Sequence, residues 1–268
     1  MDLQQRIASH LAGVIAATPV DSAPFDHLVI ENVFPPDVYA RLRELLPADT
    51  YYRELKHSDA MLPDGRSARL QFPLLPENSA RLAEPARSFW NAVAAALHSA
   101  QVEAAYRVKF RATLERVTGK SMDRIRLRPY TTLFRDLGGY RISIHPDSPR
   151  KAITTQYYLP ADDSQLHLGT IFHTKRADGT FETARTMRFA PNSGYAFAVT
   201  LDSFHSVNPM RPDDRPRDSL MVIINHDRGP LVEGFKSAQK KLRALYDRLA
   251  HPGPDPVEAG EGRYDTMR

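Results

Sequence analysis

Hydrophobic and polar positions follow two different periods in the two halves of this chain. Before residue 120, apolar residues recur at helical spacing and predict helices at 11–17, 36–46 and 78–117. The longest of these segments carries its large apolar residues on one face, at Phe89, Trp90, Val93, Ala94 and Leu97. An alternating run at 26–31 predicts one strand, and the segment 51–72 is rich in loop signals.

After residue 120 the period shortens to that of β-strands, and turn residues separate the runs. The predicted strands are 125–134, 140–144, 152–159, 166–173, 186–189, 195–199, 204–207 and 219–224. Eight short strands in succession are the number found in a jelly roll of two facing sheets. Helical spacing returns at 230–250, and the segment 251–268, rich in Gly, Pro and acidic residues, is predicted to be a flexible tail.

These patterns together predict a mainly β fold with added helices. Its core is a double-stranded β-helix, the jelly-roll or cupin-like arrangement, at 121–226. A helical and mixed part at 1–120 precedes this core, and one C-terminal helix at 230–250 follows it. We expect residues 1–250 to form a single domain, since jelly rolls of this length occur as one unit.

Composition narrows the classes of function. The net charge of +4 is spread over the chain without a dense basic run, so nucleic-acid binding is not expected. No stretch of 18 apolar residues is present, so no membrane span is expected. The chain has no Cys, which excludes a thiolate nucleophile and Cys-ligated metal and favours a reducing, cytoplasmic location.

The spacing of two histidines and one aspartate suggests a metal site. His145 and Asp147 are two residues apart, so in a strand their side chains point to the same side, and His205 follows 58 residues after Asp147. Two histidines and one carboxylate form the facial triad that binds non-haem Fe(II) and leaves coordination positions open. The third ligand must come from a neighbouring strand. By itself, the His-Pro-Asp-Ser-Pro run is more typical of a turn than of a metal site.

Two other histidines are alternative ligands. His167 and His173 are six residues apart, a spacing that suits neither a helical pair nor a strand pair. We therefore expect both to be ordinary surface or core residues.

Five segments occur in the order found in one known family. They are Gly139-Tyr140 before His145-x-Asp147, then 154–159, 189–197, 205–209 and 217–220. Over about 120 to 226, the sequence resembles the Fe(II)- and 2-oxoglutarate-dependent dioxygenases, in particular the prolyl-4-hydroxylase-like branch. The resemblance implies a jelly-roll fold, with His145, Asp147 and His205 as the catalytic iron ligands.

The resemblance also implies a site for the co-substrate. Arg217 and Ser219 resemble the basic residue and serine that bind the distal carboxylate of 2-oxoglutarate, and Tyr158 resembles an aromatic residue that reaches it. The chemistry agrees, because an arginine pairs with a carboxylate through two parallel hydrogen bonds. Arg211 and Arg215 are alternatives, but only Arg217 precedes Ser219 and an apolar strand.

The expected reaction is hydroxylation of an unactivated C–H with oxidation of 2-oxoglutarate to succinate and CO2. Fe(II), 2-oxoglutarate and O2 are the implied cofactors, with ascorbate as a candidate reductant. Asp147 fills the position that a halide would need, so hydroxylation is favoured over halogenation, while desaturation and epoxidation stay open.

A small molecule, such as an amino acid, a sugar or a natural-product intermediate, is the expected substrate. The helical N-terminal part and a segment at 174–186 are predicted to roof the mouth of the barrel, and enclosed pockets suit small molecules. A peptidyl, prolyl-type hydroxylase is the alternative, since a peptide needs an open groove. Arg135 is a weak candidate for contact with the substrate, and otherwise a structural or surface residue.

Two competing functions use the same residues. A hydrolase or cupin-type isomerase could hold Zn or Mn with these three ligands. Arg217-x-Ser219 argues against it, because hydrolysis requires no anchor for a 2-oxo acid. A non-catalytic jelly-roll module that binds metal or carbohydrate is the alternative from another class.

Overall fold

The strands of the computed structural model, which describes residues 1–227, form two antiparallel sheets. They are β1 (His27–Glu31), β2 (Arg53–Glu54), β3 (Arg69–Pro73), β4 (Leu127–Asp136), β5 (Ile142–His145), β6 (Lys151–Tyr158), β7 (Ile171–Lys175), β8 (Phe181–Thr186), β9 (Ser193–Ala198), β10 (His205–Val207) and β11 (Arg217–His226). The larger sheet has the order β1-β9-β6-β11-β4-β3-β2, and the smaller sheet has the order β5-β10-β7-β8. The mainly β prediction with added helices is therefore confirmed.

The central strands β6 and β9 of the larger sheet bury both of their faces. On β6, Tyr157 packs with the helices, whereas its neighbour Tyr158 belongs to the core between the sheets. On β9, Ala196 packs with the helices and Phe197 between the sheets. Successive side chains of a strand point to opposite faces, so two buried faces produce the continuous apolar runs of this region.

Helices cover the outer face of the larger sheet. They are α1 (Leu3–Ala17), α2 (Pro36–Glu44), α3 (Pro76–Ser79), α4 (Ala86–Leu97), α5 (Ala100–Lys109) and α6 (Arg111–Thr118). Trp90 of α4 is fully buried, and its indole N–H donates to the Leu45 carbonyl at 2.6 Å. The apolar face predicted for this segment therefore packs into the core at Trp90.

The segment 78–117 was expected as one helical stretch, and the structure divides it. Ser99 accepts a hydrogen bond from the Val102 amide and begins α5 as its N-cap. Gly119 ends α6 with a left-handed φ of 65°, a conformation that glycine adopts without steric cost. Helical periodicity continues across such caps, so apolar spacing alone did not reveal them.

Two predicted strands near residue 180 were misplaced. Strand β7 begins at Ile171 rather than 166, because Asp163–Leu168 forms 3-10 turns. Strand β8 lies at Phe181–Thr186 rather than 186–189, and pairs with β7 as a hairpin. Most of β8 is exposed on both faces, so it shows no alternation of apolar and polar residues.

The segment 174–186, which was predicted to help roof the mouth of the barrel, belongs to the hairpin β7–β8. Gly179, with φ of 85°, lies in its turn. Among residues 1–227, no helix is long and apolar enough to cross a membrane. The predicted helix at 230–250 and the tail at 251–268 lie outside the described residues.

Candidate active site

The three predicted metal ligands meet between two strands of the smaller sheet. Strands β5 and β10 are antiparallel, and His145 lies directly opposite His205, with ring centroids 4.4 Å apart. Asp147 follows the end of β5 by two residues. One potential ligand atom from each side chain lies within 4.8 Å of the other two, close enough to converge on a single ion.

Backbone carbonyls orient both imidazoles. The Nδ1 atom of His145 lies 2.8 Å from the Ser143 carbonyl oxygen, and Nδ1 of His205 lies 3.0 Å from that of Ser203. A carbonyl only accepts, so Nδ1 carries the proton in each ring and Nε2 keeps its lone pair. This is the arrangement by which a second hydrogen bond fixes the tautomer of a metal-binding histidine.

Burial and neighbouring charges keep Asp147 and His205 in their metal-binding protonation states. Burial lowers the pKa of His205 to about 4, so its ring is neutral at pH 7. Burial by itself raises the pKa of Asp147, but the Lys151 ammonium and His205 outweigh it and hold that pKa well below its usual range. Asp147 accepts from Lys151 Nζ and from Thr154 Oγ1, each at 2.5 Å.

The donor set fits Fe(II). Two neutral imidazoles and one carboxylate are ligands of intermediate and hard character, and three ligands leave part of an octahedron open. The neighbouring Thr154 hydroxyl orients the carboxylate as supporting residues do at metal sites.

Arg217 lies at the inner end of the same cavity, which has about 380 Å³ of empty volume including its open mouth. Its side chain is fully buried. Nε donates to the Leu168 carbonyl at 2.6 Å, Nη1 to Asp136 at 2.8 Å and Nη2 to Thr170 Oγ1 at 3.4 Å. The structure thus places the predicted carboxylate-binding arginine beside the triad, but already paired with a buried acid.

The other two residues predicted to bind the co-substrate, Ser219 and Tyr158, contact residues of the cavity lining but do not line the cavity themselves. Ser219 is buried, and its Oγ accepts from Gln156 Nε2 at 2.8 Å. The Tyr158 hydroxyl donates to Thr170 Oγ1 at 3.1 Å and accepts from the Thr170 amide at 2.9 Å. Gln156 and Thr170 themselves line the cavity, whereas Ser219 and Tyr158 do not.

The alternative histidines lie outside the cavity lining. His167 is half exposed and pairs with Asp214 at 3.1 Å. His173 is buried, with Nε2 2.7 Å from Ser206 Oγ.

The alternative arginines also lie outside the lining. Arg211 and Arg215 are exposed, and Arg215 pairs with Asp162 at 2.6 Å. Arg135 pairs with Asp218 at 2.7 Å on the other face of β4 from Asp136. The structure therefore gives Arg135 a structural partner in place of a position beside the triad.

Sequence patterns did not indicate three buried charged residues: Arg69 and Lys151, which line the cavity, and Asp136, which pairs with Arg217. Lys151 follows Asp147 across a turn rather than along a helix, so the spacing of four residues did not indicate their contact. Arg69 lies in the segment interpreted as loop, and Asp136 lies two residues beyond the predicted end of its strand. No sequence pattern around Arg69 or Asp136 indicated that either residue lies close to Arg217.

Comparisons with known proteins support the fold. No family model and no curated protein matches the chain. A Trichoplax adhaerens prolyl hydroxylase, solved with a hypoxia inducible factor peptide fragment, aligns with a TM-score of 0.50 at 10% identity over 83% of this chain and 90% of that one. A Pseudomonas putida prolyl-4-hydroxylase gives 0.48 at 15% identity over 82% and 99%.

A third similar structure is HygX from Streptomyces hygroscopicus with nickel and 2-oxoglutarate bound. It gives a TM-score of 0.48 at 12% identity over 75% of this chain and 83% of that one. At these identities the likeness concerns the fold. The chain shares the fold of the prolyl hydroxylases, as its resemblance to that branch predicted, and the double-stranded β-helix core is confirmed.

Proposed function

We propose that this protein is an Fe(II)- and 2-oxoglutarate-dependent dioxygenase that hydroxylates a small molecule. One observation carries the proposal: a His-Asp-His cluster, in which Asp147 and His205 are buried, and a buried arginine line one cavity. The cluster suits Fe(II), and the arginine suits the distal carboxylate of a 2-oxo diacid. A hydrolase would have no use for the second feature.

The residues of the chain divide the work. Iron, when bound with 2-oxoglutarate and O2, supplies the oxidising chemistry, and the protein supplies binding and orientation. His145, Asp147 and His205 hold the metal through two nitrogens and one oxygen. Arg217 holds the far end of the co-substrate, so that its 2-oxo acid end faces the metal. Buried aromatic side chains such as Tyr195 close the inner wall against water.

The function is tested by succinate formation from 2-oxoglutarate with Fe(II) and ascorbate. The wild-type protein should form succinate, and Asp147→Ala should reduce the rate to background, because the carboxylate ligand is lost. Asp162→Ala, which removes an exposed carboxylate outside the cavity, is the matched control and should keep the wild-type rate. Absence of succinate in the wild type, with substrate pools supplied, would refute the proposal.

The role of Arg217 has its own test. Arg217→Ala should raise the concentration of 2-oxoglutarate required for half-maximal rate by about a hundredfold, because a buried charge-assisted pair is lost. Arg217→Lys should raise it less, since a point charge keeps attraction without the planar fork. An unchanged requirement in Arg217→Ala would show that another residue binds the co-substrate.

The substrate class rests on the cavity. Its lining includes the buried Arg69 and Arg217 besides the metal triad, and the part of the chain before residue 120 contributes Arg69, from strand β3. The hairpin β7–β8, expected to help roof the mouth, contributes none of the described lining residues, so it lends no support to this choice. A metabolite extract and a peptide library, each incubated with enzyme, Fe(II) and 2-oxoglutarate, distinguish the classes by mass spectrometry. Addition of one oxygen to peptides alone would replace the small-molecule proposal by peptidyl hydroxylation.

A further inference from the structure

A second arginine shares the inner end of the cavity with Arg217. Arg69 belongs to β3, outside the core segment whose motifs resemble the dioxygenases, and its side chain is 5% exposed. Its guanidinium carbon lies 4.1 Å from the ring centroid of Phe134 and 4.7 Å from that of Tyr140. Contacts with two rings and a hydrogen bond from Nη1 to the Tyr140 hydroxyl fix the position of the guanidinium.

One carboxylate serves both arginines. Asp136 is fully buried, with Oδ1 3.1 Å from Arg69 Nε and Oδ2 2.8 Å from Arg217 Nη1. Two buried positive charges therefore share one buried negative charge, which leaves a surplus of one positive charge. The other buried ion pair of the cavity, between Lys151 and Asp147, is balanced. The surplus lies at the arginine pair.

Hydrogen bonding at the pair is also incomplete. Arg69 Nε and Asp136 Oδ1 are close, but they are not aligned for a hydrogen bond, and each is a buried atom with no hydrogen-bond partner among residues 1–227. Buried polar groups normally have a partner, and an unmatched buried charge is costly. An anion placed beside the two guanidiniums would supply a negative charge and acceptor oxygens for the arginines, while Asp136 Oδ1, itself an acceptor, would stay 3.1 Å from Arg69 Nε.

We propose that Arg69 is a second carboxylate-binding residue, which holds the distal carboxylate of 2-oxoglutarate together with Arg217. This inference rests on the proposed function. Asp136 sets the spacing of the two guanidiniums and is not displaced. The surplus charge then makes the site selective for a 2-oxo diacid over a 2-oxo monoacid of the same chain length.

The test compares two ligands that differ only at the distal end. Calorimetric titration of the Mn(II)-loaded protein with 2-oxoglutarate and with 2-oxopentanoate measures binding without turnover. The ratio of the two dissociation constants reports recognition of the distal carboxylate, and loss of metal binding changes both constants together. A merely structural role of Arg69 would leave this ratio unchanged.

Arg69→Gln should reduce the preference for 2-oxoglutarate by about tenfold or more, the effect of losing a charge-assisted hydrogen bond. Arg69→Lys, which keeps the charge, should retain part of the preference and is the variant to use if Arg69→Gln does not fold. Arg107→Gln is the matched control. It removes a half-buried arginine that pairs with Glu103 and two carbonyl groups outside the cavity, and the wild-type preference should remain.

The outcomes separate the inference from the proposed function. If the wild type prefers 2-oxoglutarate and the Arg69 variants keep the full preference, the role of Arg69 is refuted and the proposed function stands. If the Mn(II)-loaded wild type binds neither ligand, the proposed function fails, and the inference fails with it.

Discussion

Removal of the charge on Asp136 tests directly how much the buried Arg69 and Arg217 depend on their shared carboxylate. In Asp136→Asn the side chain keeps its shape and one acceptor oxygen, while two buried arginines lose their shared counter-charge. Loss of one partner of a buried ion pair costs about 3–5 kcal/mol, because the remaining charge stays uncompensated. For a protein of this size, each kcal/mol lowers the Tm by about 2–4 °C, so we expect a decrease of about 6–20 °C.

The same variant should be rescued by the co-substrate. A bound carboxylate restores one negative charge beside Arg69 and Arg217, so ligand binding should raise the Tm of Asp136→Asn more than that of the wild type. The assay is thermal unfolding followed by circular dichroism, with Mn(II) present and with or without saturating 2-oxoglutarate.

A matched control exists on the other face of β4. Asp218 is also buried and pairs with Arg135 at 2.7 Å, away from the cavity. Asp218→Asn should lower the Tm as well, but 2-oxoglutarate should raise it only as much as in the wild type. Equal ligand-induced increases in Asp136→Asn and the wild type would refute the reasoning, as would a decrease below about 2 °C in the ligand-free variant.

Three further perturbations test the packing, the pH dependence and the metal site. Gly169→Ala should cost about 3 kcal/mol in urea unfolding, because the new Cβ would lie 1.6 Å from the Met187 carbonyl oxygen. The pKa of His205 is about 4 in the folded protein and about 6.5 in the unfolded chain, so the unfolded chain binds a proton first as the pH falls. The free energy of unfolding of the metal-free protein should therefore decrease by about 2 kcal/mol between pH 6.5 and pH 5 because of this residue. Lys151→Met should strengthen Mn(II) binding in calorimetry by about tenfold or more, since a positive charge beside Asp147 is removed.

Each of these has a control and a contrary result. Gly13→Ala, where the added methyl group meets nothing within 4 Å, should not destabilise, and an equal loss there would contradict the close-approach argument. The free energy of unfolding should depend less steeply on pH in His205→Gln than in the wild type. An identical dependence in the two proteins would mean that other groups cause it. Lys175→Met removes an exposed lysine and should leave Mn(II) binding unchanged, whereas weaker binding in Lys151→Met would mean that Lys151 supports the metal.

The metal cluster was predictable from sequence because its geometry is local. Spacing of two residues places His145 and Asp147 on one side, and only one pairing of strands is then needed to add His205. Sequence patterns also predicted the central strands of the larger sheet, β4, β6, β9 and β11, since they are apolar runs separated by turn residues. Strands β2 and β3 lie in the segment interpreted as loop and were not predicted. The position of strand β8 was not predicted, because its side chains face solvent on both sides and show no alternation of apolar and polar residues.

The arrangement around Arg217 was not predictable, because it depends on three strands meeting in register. Strand β4 pairs with both β3 and β11, and Asp136 is the residue opposite Arg69 on one side and Arg217 on the other. One register therefore places a carboxylate between two arginines that are 148 positions apart in the chain. A shift of one residue in either pairing would turn the arginine to the opposite face, so the surplus positive charge beside the metal ligands is a consequence of strand register.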